Sequence, residues 1–96
     1  MTHHVAVVEE EPGKAVGVWF PDLPGCFSAG DTVEEAMLNA REAIALWALA
    51  HTQSARPIPR PRTIAELRAD PEAATDLERH LIALIPFKNA LPAAAE

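Results

Sequence analysis

The sequence predicts an α+β fold: a three- to four-stranded, mainly antiparallel sheet with one long helix packed on a face. Three observations carry that expectation. Two short β-branched segments, residues 4–9 and 15–20, flank a proline–glycine turn. A capped stretch from Thr32 to about residue 51 repeats apolar residues at helical spacing. Residues 80–87 form a continuous apolar run of strand length.

In chain order, His4-Val5-Ala6-Val7-Val8-Glu9 is the first strand. Glu11-Pro12-Gly13-Lys14 puts proline and glycine at the central positions of a type II turn. In the second strand Val16, Val18 and Phe20 share one face and Trp19 takes the other, so the two strands pair as a hairpin. Next comes Phe20-Pro21-Asp22-Leu23-Pro24-Gly25-Cys26. Pro21 and Pro24 fix φ and push the residue before each towards extended geometry, and Gly25 supplies the positive φ of a second type II turn. Asp22, between the prolines, is placed to accept backbone N–H groups that the turn leaves unpaired. Residues 26–30 make a short third strand.

Thr32 followed by Glu35 is a capping box, and Asp31 and Glu34 add negative charge at the positive end of the helix dipole. Val33, Ala36, Met37, Ala40, Ile44, Trp47, Ala48 and His51 then form one stripe facing the sheet, with Trp47 its largest anchor. On the opposite side lie Leu38, Ala45, Leu46 and Leu49, apolar side chains that need cover. A later segment of the same chain, a second copy or another protein could supply it. Residues 55–62 are a proline-spaced connector whose arginines, Arg56, Arg60 and Arg62, resemble a basic patch for nucleic acid but read first as solvating charges. Thr63 and Glu66 repeat the capping box for a short helix to about Ala69, which Asp70-Pro71 ends. Residues 72–79 stay open between a helical turn and a loop. Residues 80–87 are expected as a buried fourth strand, with Pro86 where pairing stops. The domain therefore spans 1–87, followed by a flexible tail at 88–96.

Composition narrows the function classes. At 96 residues the chain is one domain, and 49% hydrophobic with 23% charged residues is the balance of a folded protein. It has no Tyr and few aromatics, which argues against a stacking surface for single-stranded nucleic acid. Cys26 is alone, so no intrachain disulfide forms and a reducing cytosol fits. No signal peptide or membrane-length apolar run is expected, which places the protein in the cytoplasm and off the membrane. The net charge of −6 is uneven. Residues 1–50 hold eight acids against Lys14 and Arg41 (−6), while residues 51–96 hold six acids and six bases (zero). Such a field keeps a protein soluble, repels nucleic acid and steers basic partners.

Three blocks carry a resemblance: Phe20 to Cys26, then Gly30-Asp31-Thr32-Val33-Glu34-Glu35-Ala36, then Asn39-Ala40-Arg41-Glu42-Ala43. In order and spacing they resemble the N-terminal domain of HicB antitoxins, inhibitory partners of HicA-type mRNA-cutting toxins, over roughly residues 5–87. The resemblance implies a partial ribonuclease-H-like fold and an antitoxin that neutralises a HicA-like mRNA interferase by occluding its active site. The partner-binding acids would be Asp22, Glu34, Glu35, Glu9 and Glu10, with Glu11 beside them, on a surface shaped by Pro21, Pro24, Gly25, Cys26 and Thr32. A homodimer or higher homo-oligomer would use Leu38, Leu46 and Leu49. Many family members continue into a helix-turn-helix or ribbon-helix-helix module; nine residues follow Phe87 here, so no direct DNA-binding module is expected in this chain.

The implied fold also raises an alternative, a ribonuclease-H-like nucleic-acid-processing or metal-binding domain using Asp22, Asp31 and Glu35. Two-metal hydrolysis needs carboxylates converging on ions about 4 Å apart. The ribonuclease H site takes its leading acid from the first strand, which here reads Val5-Ala6-Val7-Val8. Asp31 and Glu35 already cap a helix and Asp22 serves a turn. His3, His4, His51 and His80 lack zinc spacing, and Cys26 has no histidine near it in sequence. The expectation is therefore a protein without catalytic residues, metal or cofactor.

Overall fold

The computed structural model describes residues 2–87; the expected tail at 88–96 lies outside the described residues. The elements in order are β1 (Thr2–Glu9), β2 (Val16–Trp19), β3 (Phe27–Gly30), α1 (Val33–Gln53), α2 (Ile64–Arg68), α3 (Pro71–Arg79) and β4 (Leu81–Phe87). All strand pairs are antiparallel, in the order β3-β2-β1-β4, so the α+β architecture carries four strands. The first turn closes with the Lys14 N–H donating to the Glu11 carbonyl at 3.2 Å, and Gly13 takes φ 78° as a type II turn requires.

Alternation along the strands sends Ala6, Val8, Val16, Val18, Ile85 and Phe87 to one face, where they meet Ala36, Ala40, Ile44 and Ala48 of α1. Three of those four helix residues are alanine, so α1 lies close to the sheet and Ile44 is its largest buried side chain. Trp47, expected as the main anchor, is only half-buried at the margin of this core. The helix runs to Gln53. It ends with the Ala55 N–H bonded to the Thr52 carbonyl at 3.0 Å and the Arg56 N–H to His51 at 2.8 Å, a Schellman motif. Ala55 occupies its left-handed position, φ 58°, where glycine is the usual residue.

The opposite face is also covered, a layer beyond the one long helix expected to pack on the sheet. Val5 and Val7 pack there against Leu67, Ala73 and Leu77 of α2 and α3, with Trp19, Ile64 and Ile82 at the margin. Asp70-Pro71 ends α2 as read, but it also starts α3. Pro71 takes the first helical position, where a missing N–H is harmless, and the Asp70 carboxylate accepts the Glu72 N–H at 3.0 Å.

β4 corrects a second expectation. It is an edge strand rather than a buried one, with Leu81 58% and Leu84 53% exposed. Pairing does not stop at Pro86, which lies opposite His3, and continues to Thr2 opposite Phe87. An edge strand tolerates proline because its ring nitrogen can face away from the ladder.

Candidate functional site

The twin-proline turn satisfies its own backbone. The Leu23 N–H donates to the Phe20 carbonyl at 3.1 Å and the Cys26 N–H to Leu23 at 3.0 Å, with Gly25 at φ 84° as its position demands. Asp22 is therefore free of the turn. Its side chain, expected at the surface and bonded to turn amides, is 7% exposed and bonded to the connector instead: Oδ2 accepts the Arg62 N–H at 2.8 Å and Oδ1 accepts Nε at 2.6 Å. The same guanidinium donates to Asp70 at 3.0 Å. The carboxylates beside it push the Arg62 pKa up, and Arg62 in turn pulls Asp70 down. Arg62 thus ties the connector to the turn and to the start of α3 and is no solvating charge. Arg60 pairs with Glu66 at 3.0 Å, which, with the Thr63 amide, lowers the Glu66 pKa to about 2.

Around the turn, Cys26 is buried and its thiol is pushed up to about 11 by desolvation, a sulfur held neutral rather than activated. The Trp47 indole N–H donates to the Pro24 carbonyl at 2.9 Å, so the tryptophan braces turn against helix. A hollow of about 330 Å³ opens between the turn and α3, lined in part by Trp19, Phe27, Glu72 and Asp76. Phe27 is 70% exposed there. Glu72 and Asp76 come from the half of the chain that is neutral overall, so a sum over that half hides them.

The other expected acids gather at the opposite end of β2. Glu10, Glu11 and Asp31 line one hollow of about 410 Å³, and Glu34 and Glu35 are exposed on the first turn of α1. Glu9 is half-buried at the end of β1. The Lys14 side chain in this region pairs with Glu11 at 3.2 Å. β2 spans about 13 Å, so the structure brings Glu9 to Glu11 and the helix-start acids to one end and leaves Asp22 at the other.

The start of α1 is fixed to β3. Thr32 Oγ1 accepts the Glu35 N–H at 3.1 Å, while Glu35 Oε1 accepts the N–H of Asp31 at 2.6 Å rather than that of Thr32, so the reciprocal half of the box is displaced by one residue. Ser28 donates to the Ala36 carbonyl at 3.0 Å and Asn39 to the Ala29 carbonyl at 2.8 Å. Gly30 permits this contact: a Cβ there would lie 2.5 Å from the Ala36 nitrogen. In the sequence Gly30 shows as a strand end and as the first residue of the second motif block; the need for a bare Cα appears only with the packing of α1 on β3. Leu38, Leu46 and Leu49 are exposed on the outer side of α1, with no cover from the later segments described. Among the described residues no group of three or more His, Cys, Asp or Glu is disposed to hold a metal ion, and no helix is long and apolar enough to cross a membrane.

Comparison with known proteins adds to this geometry. A 14.9 kDa protein from the rep–hol intergenic region of Haemophilus phage HP1 is 39% identical over 72 residues, which cover 75% of this chain and 53% of that protein. The chain thus spans about half the length of that relative. The crystal structure of the N-terminal domain of Burkholderia pseudomallei antitoxin HicB superposes with a TM-score of 0.72 at 30% identity, covering 92% of this chain and 99% of that one. A chain from a HicA3–HicB3 toxin–antitoxin complex shares the fold at a TM-score of 0.70 and 23% identity, covering 90% of this chain and 98% of that one. The family described as HicB-like antitoxin of bacterial toxin–antitoxin systems matches residues 4–89. With that match running from the first strand past the last, the chain belongs to the HicB-like antitoxin family.

Proposed function

We propose that this protein neutralises a HicA-like mRNA interferase in the cytoplasm by laying its acidic hairpin end over the toxin's basic RNA-binding surface and occluding the active site. The observation that carries the reading is the clustering of Glu10, Glu11, Asp31, Glu34 and Glu35 at one end of the sheet. A concentrated negative field steers a cationic partner and excludes its RNA substrate. The matching chain from the HicA3–HicB3 toxin–antitoxin complex supports the pairing. Glu9 flanks this surface. Asp22 acts behind the turn, holding Arg62, and Pro21, Pro24, Gly25, Cys26 and Thr32 shape the frame. The chain performs no chemistry of its own in this reading, and it self-associates.

The test is RNA cleavage by a HicA-like toxin encoded beside this gene, titrated with the purified chain. Inhibition is expected near one-to-one. It should weaken as salt rises and fall at least about tenfold when Glu10, Glu11 and Asp31 are changed to Lys. RNA hydrolysis by this chain alone, or a folded chain that leaves its toxin active, would overturn the reading.

A further inference from the structure

We infer that β4 is a self-pairing edge: two copies of this chain join β4 to β4 about a two-fold axis near Leu84, making one eight-stranded sheet. This deepens the self-association in the reading above and does not depend on toxin docking.

β4 is seven residues long, carries no charge, and has no neighbour on its outer side among the described residues. Exposed sheet edges are normally protected by shortness, charge or cover. β3, the other edge, has only four residues. β4 has none of these protections except Pro86, and two of its leucines lie in the open. Beside it an apolar groove of about 440 Å³ runs between β4 and the first half of α1, lined by Val33, Met37, Leu38, Leu84, Ile85 and Pro86. Glu34 and Arg41 stand at its rim, with no ion-pair partner among the described residues.

The charge pattern selects the occupant. A basic toxin finds no net negative charge here, because Arg41 balances Glu34. A second copy fits. Leu84 is the central residue of β4, so antiparallel pairing centred there sets it against itself and Ile82 against Pro86, which lacks an N–H and leaves one bond unmade at each end of the new ladder. The two α1 helices then run antiparallel on the same face. With the axis passing near Leu38, Glu34 of each protomer faces Arg41 of the other, about two turns along. Of the three leucines expected from sequence as dimer contacts, Leu38 falls at this seam. Leu46 and Leu49 lie two to three turns further along α1 and take no part.

Sedimentation equilibrium of the full chain tests this, with a mass near twice 10.4 kDa expected. Leu84→Lys puts a charge on the edge at an exposed site and should raise the dimer dissociation constant at least about tenfold. Leu46→Lys should leave it unchanged. Glu34→Arg alone should weaken the dimer, and adding Arg41→Glu should restore it; this pair decides the matter even where Leu84→Lys compromises folding. A monomeric wild type would overturn the proposal together with self-association. A dimer that survives Leu84→Lys and breaks with Leu46→Lys would overturn the β4 seam alone. Toxin inhibition by the Leu84→Lys protein reports separately on docking.

Discussion

On one side of the sheet a single 21-residue helix lays Ala36, Ala40, Ile44 and Ala48 over the strands. On the other, helices of five and nine residues contribute Leu67, Ala73 and Leu77, and Arg62 holds their start against the twin-proline turn. α1 is long enough to carry its own periodic stripe and cap. α2 and α3 are shorter than isolated helices that persist in water, so they depend on burial and on bonds from distant sequence. The difference is between a layer specified by neighbours in the chain and a layer specified by residues 40 positions apart, Asp22 and Arg62.

The largest test sets one core residue from each side against the other. Ile44→Ala and Leu67→Ala should each cost about 2–5 kcal/mol in urea unfolding, in a single shared transition. A separate early transition in the Leu67 variant would show that α2 and α3 melt as an independent layer. Arg62→Ala comes next, at about 2 kcal/mol, because it strands the enclosed Asp22 carboxylate; water at the partly exposed guanidinium keeps the loss below that of a fully buried pair. Arg62→Lys should recover only part, since one ammonium cannot serve Asp22 and Asp70 as the fork does.

The α1 side has its own flaw. His4 is 1% exposed, its ring lies edge-on to Phe87, and its Nδ1 has no hydrogen-bond partner. Desolvation lowers its pKa below the ordinary 6.5, against a smaller opposing attraction from Asp22. The folded state therefore prefers the neutral ring: its contribution is intact above pH 6.5 and is lost as pH falls below that value. The slope is at most about 1.4 kcal/mol per pH unit. His4→Leu should flatten the stability profile just below pH 6.5, above the range where Glu66 and Asp70 begin to protonate. The smallest effect is a gain. Ala55→Gly relieves the left-handed strain that closes α1 and should add about 0.5–1 kcal/mol.

These contrasts also explain what was readable beforehand. The hairpin, both type II turns, the α1 stripe and its cap depend on residues a few positions apart, and they appear close to where the sequence puts them. Trp47 fits the helical stripe by angle, but the angle does not reveal that its indole leaves the core to reach Pro24. β4 was legible as a strand; its edge position depends on strand order, which an apolar run does not encode. Asp22 looked like a surface acid because the cation that encloses it lies in a connector with no pattern of its own. Glu10, Glu34 and Glu35 stand out in a count of charge by halves, whereas Glu72 and Asp76 are masked there by neighbouring bases.

The pairing of Thr2 with Phe87 has a practical consequence. Both ends of the described chain leave the sheet at one corner, and β1 runs about 25 Å from there to the acidic hairpin. An affinity handle or reporter fused at the amino end would therefore start far from the surface proposed for the toxin, so protein tagged there should inhibit as well as untagged. The same corner adjoins β4, and a bulky fusion there would hinder self-pairing first.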